Sequence, residues 1–578
     1  MKRVISLVLC LMLVLSLATT AFAATPTYTL TINNAVAGHT YEAYQLFAGE
    51  LAEVDGKEIL SNISWGSAIY KDVDGDGVIE TADGDYDKSA DLLAAINAEA
   101  GLAVLHGATD ADSLAEKISG NITTDSESID LFAQITGNYL GDYAAVSGAQ
   151  SGGKYTISGL TAGYYLVKDQ DGTLDGDNDV YTKYIIRVLK SVEVTPKGDV
   201  PTVEKTINDT IDGTYTEIED FDINDIAYYK WEGTLPSNLK SYETYFYKFV
   251  DTLPNGLSLT SIDSSMKLGI LQIYLEDSDS NRIHTFYDVT NTVATDDVLP
   301  AGIITNISGQ TITVEFNNLR TLYSSILSDH KVIVKYAARV TRDALIADPM
   351  TNTVHVEFSN DPNFDGTGTP PTGKTPDDVA HAFTFRINVD KYDADDITNK
   401  LEGAEFVLYY ERIESDTIVK YYAKVITEEM IAAGVVINGT QVDIDDLGVV
   451  YGWTTDKTQA SILDTDSTGH LGVKGLDEGI YYLEETKAPA GYNLMETPVQ
   501  IKIIPTYTEN GVTASVSVSY EVDSIAQASE TVGVRNSAGS TLPSTGGIGT
   551  TLFYIFGGLM VAGASILLVT KKRMGAEN

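Results

Sequence analysis

Most of this chain alternates apolar and polar residues at period two, in short runs rich in Val, Ile, Thr and Tyr that stop at Gly, Asn and Asp. That spacing sets one face of a β-strand into a core and the other into water, and the stops read as turns. Helical spacing is scarce, and stands out only over Ser89 to Glu99 and Thr109 to Ile118. Breaks at Pro196 to Pro201 and along the Pro/Gly/Asp-rich stretch Asp361 to Asp378 divide the alternation into three. The pattern predicts an all-β protein of tandem β-sandwiches over residues 24–198, 199–380 and 381–537, with minor helix in the first.

Parity then places polar groups on apolar faces. In the third segment Phe383, Phe385, Ile387, Val389 and Lys391 share one face of a strand, Tyr481, Leu483 and Glu485 share another, and Val532, Val534 and Asn536 a third. An amine, an acid and a carboxamide thus aim into one core, where each alone would be costly. Burial favours the neutral form of amine and acid. A neutral Lys391 amine can attack the side-chain carbonyl carbon of Asn536 with Glu485 assisting proton transfer; ammonia leaves and an amide joins the strands.

In the middle segment Val203, Lys205 and Ile207 share a face, as do Tyr245, Tyr247, Phe249, Asp251 and Leu253. Both Asn352 and Asn360 lie on an apolar face; Asn352 is preferred, because Asn360 opens a Ser-Asn-Asp-Pro turn where asparagine needs no special reason. The first segment differs. Its opening strand, Tyr28 to Ile32, has no inward lysine, and Lys168 stands where the third segment has Glu485. No internal bond is expected there. At its end Val192 and Val194 face inward while Glu193, Thr195 and Lys197 face out, leaving Lys197 open to solvent, with Lys190 as the second choice of reachable amine.

The ends change the picture further. Residues 1–23 read as a secretion signal, MKR followed by an apolar run and the small-residue site Ala21-Phe22-Ala23. Cys10, the only cysteine, lies within it, so the mature chain forms no disulfide in a compartment where disulfides are usual. Residues 538–578 hold Leu542-Pro543-Ser544-Thr545-Gly546, then an apolar stretch from Ile548 to Thr570 of about the length of a transmembrane helix. Lys571, Lys572 and Arg573 follow it. The net charge of −44, from 82 acidic and 38 basic residues, argues against a nucleic-acid partner.

Leu542 to Gly546, with the apolar stretch and basic tail, resembles the LPxTG sorting signal of Gram-positive surface proteins. The resemblance implies that a membrane sortase cuts between Thr545 and Gly546, holds the Thr545 carboxyl as a thioester and passes it to an amine. Tyr481 to Tyr492 resembles the E-box of Gram-positive pilins, where the matching glutamate, here Glu485, assists an intramolecular Lys–Asn isopeptide bond. Tyr245 to Leu257 (YFYKFVDTLPNGL) resembles the isopeptide-forming middle domain of fimbrial backbone proteins. An aspartate takes the glutamate's role in related domains, which assigns Asp251. Ile157 to Leu166 and Val473 to Leu483 echo one another and resemble Cna-B-like domains. Lys197 sits where sortase-assembled pilins carry the YPK motif, with Thr195 in place of its tyrosine.

Together these imply a sortase-assembled backbone pilin of tandem immunoglobulin-like or Cna-type sandwiches, secreted and anchored in the cell wall as surface fimbriae. Thr545 of one copy would join Lys197 of the next. The implied partners are pilin-type and housekeeping sortases, other pilin subunits and peptidoglycan. The alternative is a singly anchored adhesin or basal pilin contacting a host or matrix ligand.

One loop carries separate chemistry. Asp72 to Asp83 follows the EF-hand pattern: Asp72, Asp74, Asp76, the Val78 carbonyl and Asp83 would enclose Ca²⁺, with Gly77 at the sharp turn. Asp175 to Asp179 is a weaker acidic loop. No cofactor is otherwise required. With seven histidines scattered singly and no nucleotide loop or zinc cluster, turnover catalysis has little support; Glu485 and Asp251 would act once per molecule.

Overall fold

The computed structural model describes residues 25–574, apart from 34–37, 55–56, 123–126, 142–145, 171, 174–178, 197–199, 260–268, 291–297, 365–367 and 539–547. Three sandwich bodies follow one another, each made of two sheets. In the first, Val192–Val194, Tyr28–Asn33, Lys154–Leu160 and Ala149–Ser151 face the strands Lys183–Val188, Gly163–Asp169, Tyr41–Val54 and Lys57–Trp65. Its first and last strands lie side by side in parallel, Leu30 opposite Val192 and Ile32 opposite Val194. Leu30 and Ile32 pack with Tyr41, Tyr155 and Ile157, as their alternation requires.

Helices Ser89–Ala98, Ala111–Asn121 and Glu127–Gly137 cover the other side of this body through Leu92, Ile96, Leu114, Ile118, Leu131 and Phe132. Ala111–Asn121 starts where Asp110 accepts the Ser113 backbone N–H at 2.8 Å in a reciprocal capping box. The third helix was not legible from apolar spacing. Its residues Leu131 to Thr136 are buried one after another.

The middle body opposes two larger sheets. One runs Val203–Asn208, Ile226–Thr234, Lys331–Val340, Gly269–Glu276, Arg282–Asp288. The other runs Ile218–Asp220, Asp378–Phe383, Met350–Ser359, Tyr247–Thr252, Thr311–Phe316, Ile303–Ser308. The third body sets the small sheet His470–Leu476, Phe385–Asp393, Thr531–Asn536 against a sheet centred on Glu405–Glu414 and Gly479–Lys487. The strand expected from Phe383 to Lys391 is divided. Asp378–Phe383 pairs with Met350–Ser359 and closes the middle sheet, Thr384 bridges to Ile346, and Phe385–Asp393 opens the third body. The chain therefore passes between bodies at Thr384, a few residues beyond the expected boundary at 380.

The bodies are hydrogen-bonded at their joints. Tyr181 N–H donates to the Asn360 carbonyl (2.8 Å), linking first to middle. Between middle and third, Ile223 N–H donates to the Gly475 carbonyl (3.1 Å), and Trp453 Nε1 and the Asp477 N–H both donate to Asp222 at 2.9 Å. Gly475 has φ +82°, and a Cβ there would stand 2.3 Å from Ile223 Cδ1, so the close approach requires glycine.

The stretch expected to span a bilayer forms one helix, Ile548–Met574. Among the described residues no helix is long and apolar enough to cross a membrane; the side chains described in this one run only from Leu552 to Leu568.

Burial at the middle–third joint, with the neighbouring Asp225, pushes the Asp222 carboxyl up to about 7 from 3.8. The folded chain thus holds a proton that the unfolded chain releases. The contribution is greatest below the unfolded value and is lost as pH rises to about 7. The melting temperature should fall between about pH 4 and about pH 7, and Asp222→Asn, which carries no charge to bury, should reduce that fall in a calorimetric scan.

Candidate functional site: two buried lysine, acid and carboxamide clusters

Phe385–Asp393 and Thr531–Asn536 run parallel, with Lys391 opposite Val534 and Asp393 opposite Asn536. Asn536 therefore stands two residues along the same face from Lys391, an offset the long lysine side chain covers. Across the sandwich, Tyr481, Leu483 and Glu485 of Gly479–Lys487 point at the same core. The three polar side chains meet. The Lys391 amine donates to Asn536 Oδ1 and lies 3.2 Å from Glu485 Oε1, with both charged side chains fully buried. Asn536 Nδ2 donates to Glu485 Oε1 and Oε2 at 3.1 and 3.2 Å and to the Asn493 carbonyl at 2.9 Å. The Met495 N–H fixes Glu485 Oε2 at 2.8 Å, and the amine stands 5.2 Å from the Phe406 ring centroid. Burial lowers the Lys391 pKa and the Glu485 carboxylate opposes the shift, so the amine is drawn toward its nucleophilic neutral form.

The middle body builds its cluster across two sheets. Lys205, on Val203–Asn208, faces Trp231 of the neighbouring strand, and Tyr229 faces Tyr336 one strand further. Asp251 comes from the opposite sheet, level with Val354 on the strand that also carries Asn352. Lys205, Asp251 and Asn352 are each 0% exposed. The Lys205 amine donates to Asp251 Oδ2, which also accepts from Trp231 Nε1 at 2.8 Å and the Tyr336 hydroxyl at 3.1 Å. Asn352 Nδ2 donates to that hydroxyl at 2.5 Å. Burial brings Lys205 down to about 8, against the pull of Asp251, and pushes Asp251 up.

Asn360 lies elsewhere, its Nδ2 donating to the Asp179 carbonyl (3.3 Å) at the joint with the first body. Of the two open choices, Asn352 is the one that shares the Asp251 cluster.

In the first body Lys168 is half-buried and its neighbour Asp169 is fully buried. Asp169 pairs with His39 Nδ1 at 2.7 Å and accepts from Thr182 N–H and hydroxyl at 2.6 and 2.8 Å. Val192 and Val194 face inward and Glu193 and Thr195 outward. Lys197 lies outside the described residues, as do Leu542, Pro543, Thr545 and Gly546 and all of the second acidic loop except Asp179.

The calcium-like loop differs from its expected ligand set. Carboxylate oxygens of Asp72, Asp74 and Asp85 lie within 4.8 Å of one another, and neither Asp76 nor Asp83 joins them. The turn Thr81–Asp83 leaves Asp83 exposed, while buried Asp85 folds back to accept from the Val73 N–H (2.6 Å) and the Glu80 N–H (3.2 Å). Gly75 and Gly77, at φ +74° and +79°, let their N–H groups reach Asp72 at 2.7 and 3.0 Å.

Sequence reasoning did not find Trp231, Tyr336, Asn493 or Asp85. Tyr336 had a signal, an aromatic residue with a polar tip on a strand face otherwise made of Val332, Val334, Ala338 and Val340.

Comparison with known proteins adds a family to this geometry. Residues 385–521 match the SpaA family, a prealbumin-like fold domain, and residues 535–574 match the LPXTG cell wall anchor motif. The two matches give the third body a prealbumin-like fold domain and the C-terminal segment a cell wall anchor motif. The chain is 33% identical over 97 residues to the fimbrial subunit type 1 of Actinomyces viscosus, a match covering 17% of this chain and only 16% of that relative. Among solved structures it is similar to the T6 backbone pilin of serotype M6 Streptococcus pyogenes, at 15% identity and TM-score 0.42, covering 90% of this chain and all of that one. The full-length major pilin SpaD of Corynebacterium diphtheriae is similar at 15% identity and TM-score 0.39, covering 89% and 98%.

Proposed function

We propose that this chain is a backbone pilin subunit, a substrate of sortase rather than a catalyst of turnover. Thr545 of one copy forms an amide with Lys197 of the next, and the last copy is attached to an amine of the peptidoglycan. Two intramolecular isopeptide bonds, Lys391–Asn536 and Lys205–Asn352, harden the shaft. The observation that carries the reading is the meeting of Lys391, Glu485 and Asn536 in a dry core. In each bond the lysine nitrogen attacks the carboxamide carbon, the nearby acid takes and returns the proton, and one ammonia leaves.

Mass tests the bonds. The full chain should weigh about 17 Da less per bond than its sequence requires, one ammonia being lost at each lysine attack. Glu485→Ala should keep one of those ammonias. A chain at full sequence mass would remove both bonds from the reading.

Linkage is tested separately. Wild-type wall extracts should show high-mass ladders on a denaturing gel, and Lys197→Ala should abolish them. Ladders that survive would exclude Lys197 and point to Lys190; a wild type with no ladders would leave the singly anchored adhesin that contacts a host or matrix ligand.

The acidic loop of the first body is proposed to take Ca²⁺ through Asp72, Asp74 and Asp85, whose crowded carboxylates repel one another without a cation. Added Ca²⁺ should raise the melting temperature of the chain, since a ligand held only by the folded state stabilises it. Asp74→Ala should remove the shift and Asp83→Ala should leave it. No shift over a wide concentration range would count against the site.

A further inference from the structure

The two clusters solve the same problem with different spacing. In the third body Glu485 touches the carboxamide itself, with Asn536 Nδ2 at 3.1 and 3.2 Å from its two oxygens. In the middle body the acid is an aspartate, one methylene shorter, and among the described residues no hydrogen bond joins Asp251 to Asn352. The Tyr336 hydroxyl stands between them. It accepts from Asn352 Nδ2 at 2.5 Å and donates to Asp251 Oδ2 at 3.1 Å.

We propose that the Tyr336 hydroxyl is a catalytic group of the Lys205–Asn352 reaction, carrying a proton between Asp251 and the departing nitrogen of Asn352. This rests on the isopeptide reading given above and deepens it.

Three observations support the assignment. Tyr336 is held in place: its ring stacks on Tyr229 at 5.1 Å and 15°, tilts against Trp231 at 5.0 Å, and is fully buried. Asp251 Oδ2 already receives Lys205 and Trp231. The tyrosine thereby connects the acid that meets the amine to the nitrogen that must leave. Finally, Asp251 Oδ1 and Asn352 Oδ1 are buried and meet no hydrogen-bond partner among the described residues, so no second described route links acid and amide.

The step balances without an outside acid or base. Lys205 passes its ammonium proton to Asp251 Oδ2 and, as the neutral amine, forms a bond to Asn352 Cγ. As the Cγ–Nδ2 bond breaks, Nδ2 takes the Tyr336 hydroxyl proton, Asp251 gives its proton to the tyrosine oxygen, and the emptied carboxylate takes the surplus proton of the new amide nitrogen. Ammonium and carboxamide become amide and ammonia, with Tyr336 restored and Asp251 left protonated.

The test samples full-length chain during a pulse of synthesis, digests it, and counts peptides that join Lys205 to Asn352 and Lys391 to Asn536. Tyr245→Phe is the control: Tyr245 is buried in the same core, and its hydroxyl meets no partner among the described residues. Tyr336→Phe should slow the Lys205–Asn352 joint at least about 100-fold, the usual worth of a positioned proton carrier, and leave the Lys391–Asn536 joint at wild-type pace. Tyr245→Phe should change neither.

Joining in Tyr336→Phe at the pace of Tyr245→Phe would overturn the relay while leaving the bond. Absence of the joined Lys205–Asn352 peptide from wild type would instead overturn the bond itself. If Tyr336→Phe proves trypsin-sensitive and unfolded, 3-fluorotyrosine at position 336 keeps the shape and acidifies the phenol. It should alter the joining rate at least about twofold, following Brønsted behaviour, and an unchanged rate would overturn the proposal.

Discussion

An ammonium ion cannot stay in a dry sandwich core without a partner, and that constraint organises the middle and third bodies. Removing such a charge from water costs several kcal/mol even after relaxation. Both Lys205 and Lys391 are fully buried, so each must be neutral, paired, or consumed. The surroundings serve all three outcomes: rings exclude water, a carboxyl accepts the amine's proton, and a carboxamide offers a carbon to attack. Breaking any one of these leaves the other polar groups stranded, which makes the cluster a unit rather than a set of contacts.

The two units tie the fold in different ways. Lys391 and Asn536 sit on adjacent parallel strands, the first and last of their body, so a bond between them closes that body's ends on one another. Lys205 and Asn352 come from opposite sheets, and their bond would clamp the sandwich through its thickness. Between the bodies, apolar packing of Ile426, Val442 and Val449 against the middle core and the hydrogen bonds to Asp222 make a joint that buries carboxyl groups. Buried polar groups thus add to the apolar cores in holding the bodies together.

Strand parity made most of this legible, because a period-two pattern states which side chains face the core. Lys391, Glu485 and Asn536 were readable for that reason, and so were Lys205 and Asp251. What parity could not show was distance across the sandwich, so the gap between Asp251 and Asn352 and the hydroxyl that fills it stayed hidden. The break at Thr384 was hidden too, since Phe383 packs in the third core while its backbone pairs with Asp220 in the middle sheet. Asp85 escaped because a loop's ligand set depends on how the turn at Thr81–Asp83 folds, and spacing alone does not fix that.

The first body poses the remaining question, since it repeats the parallel pairing of first and last strands yet has no inward lysine on its first strand, its buried Lys183 standing on another strand and donating to the Pro362 carbonyl. The proposed linkage answers it. Under it, tension would enter a subunit at Lys197, which follows Val192–Val194 in the sequence, and leave at Thr545, which follows Thr531–Asn536. The stretched path would then run through the middle and third bodies and bypass the fold of the first. A strand that carries no axial force needs no covalent tie, and the Tyr28–Asn33 strand can spend its inward positions on Leu30 and Ile32. The same proposal sets opposite demands on its lysines: an amine that is to receive a neighbour must stay solvated and reachable, while an amine that is to harden the shaft must be buried to react at all.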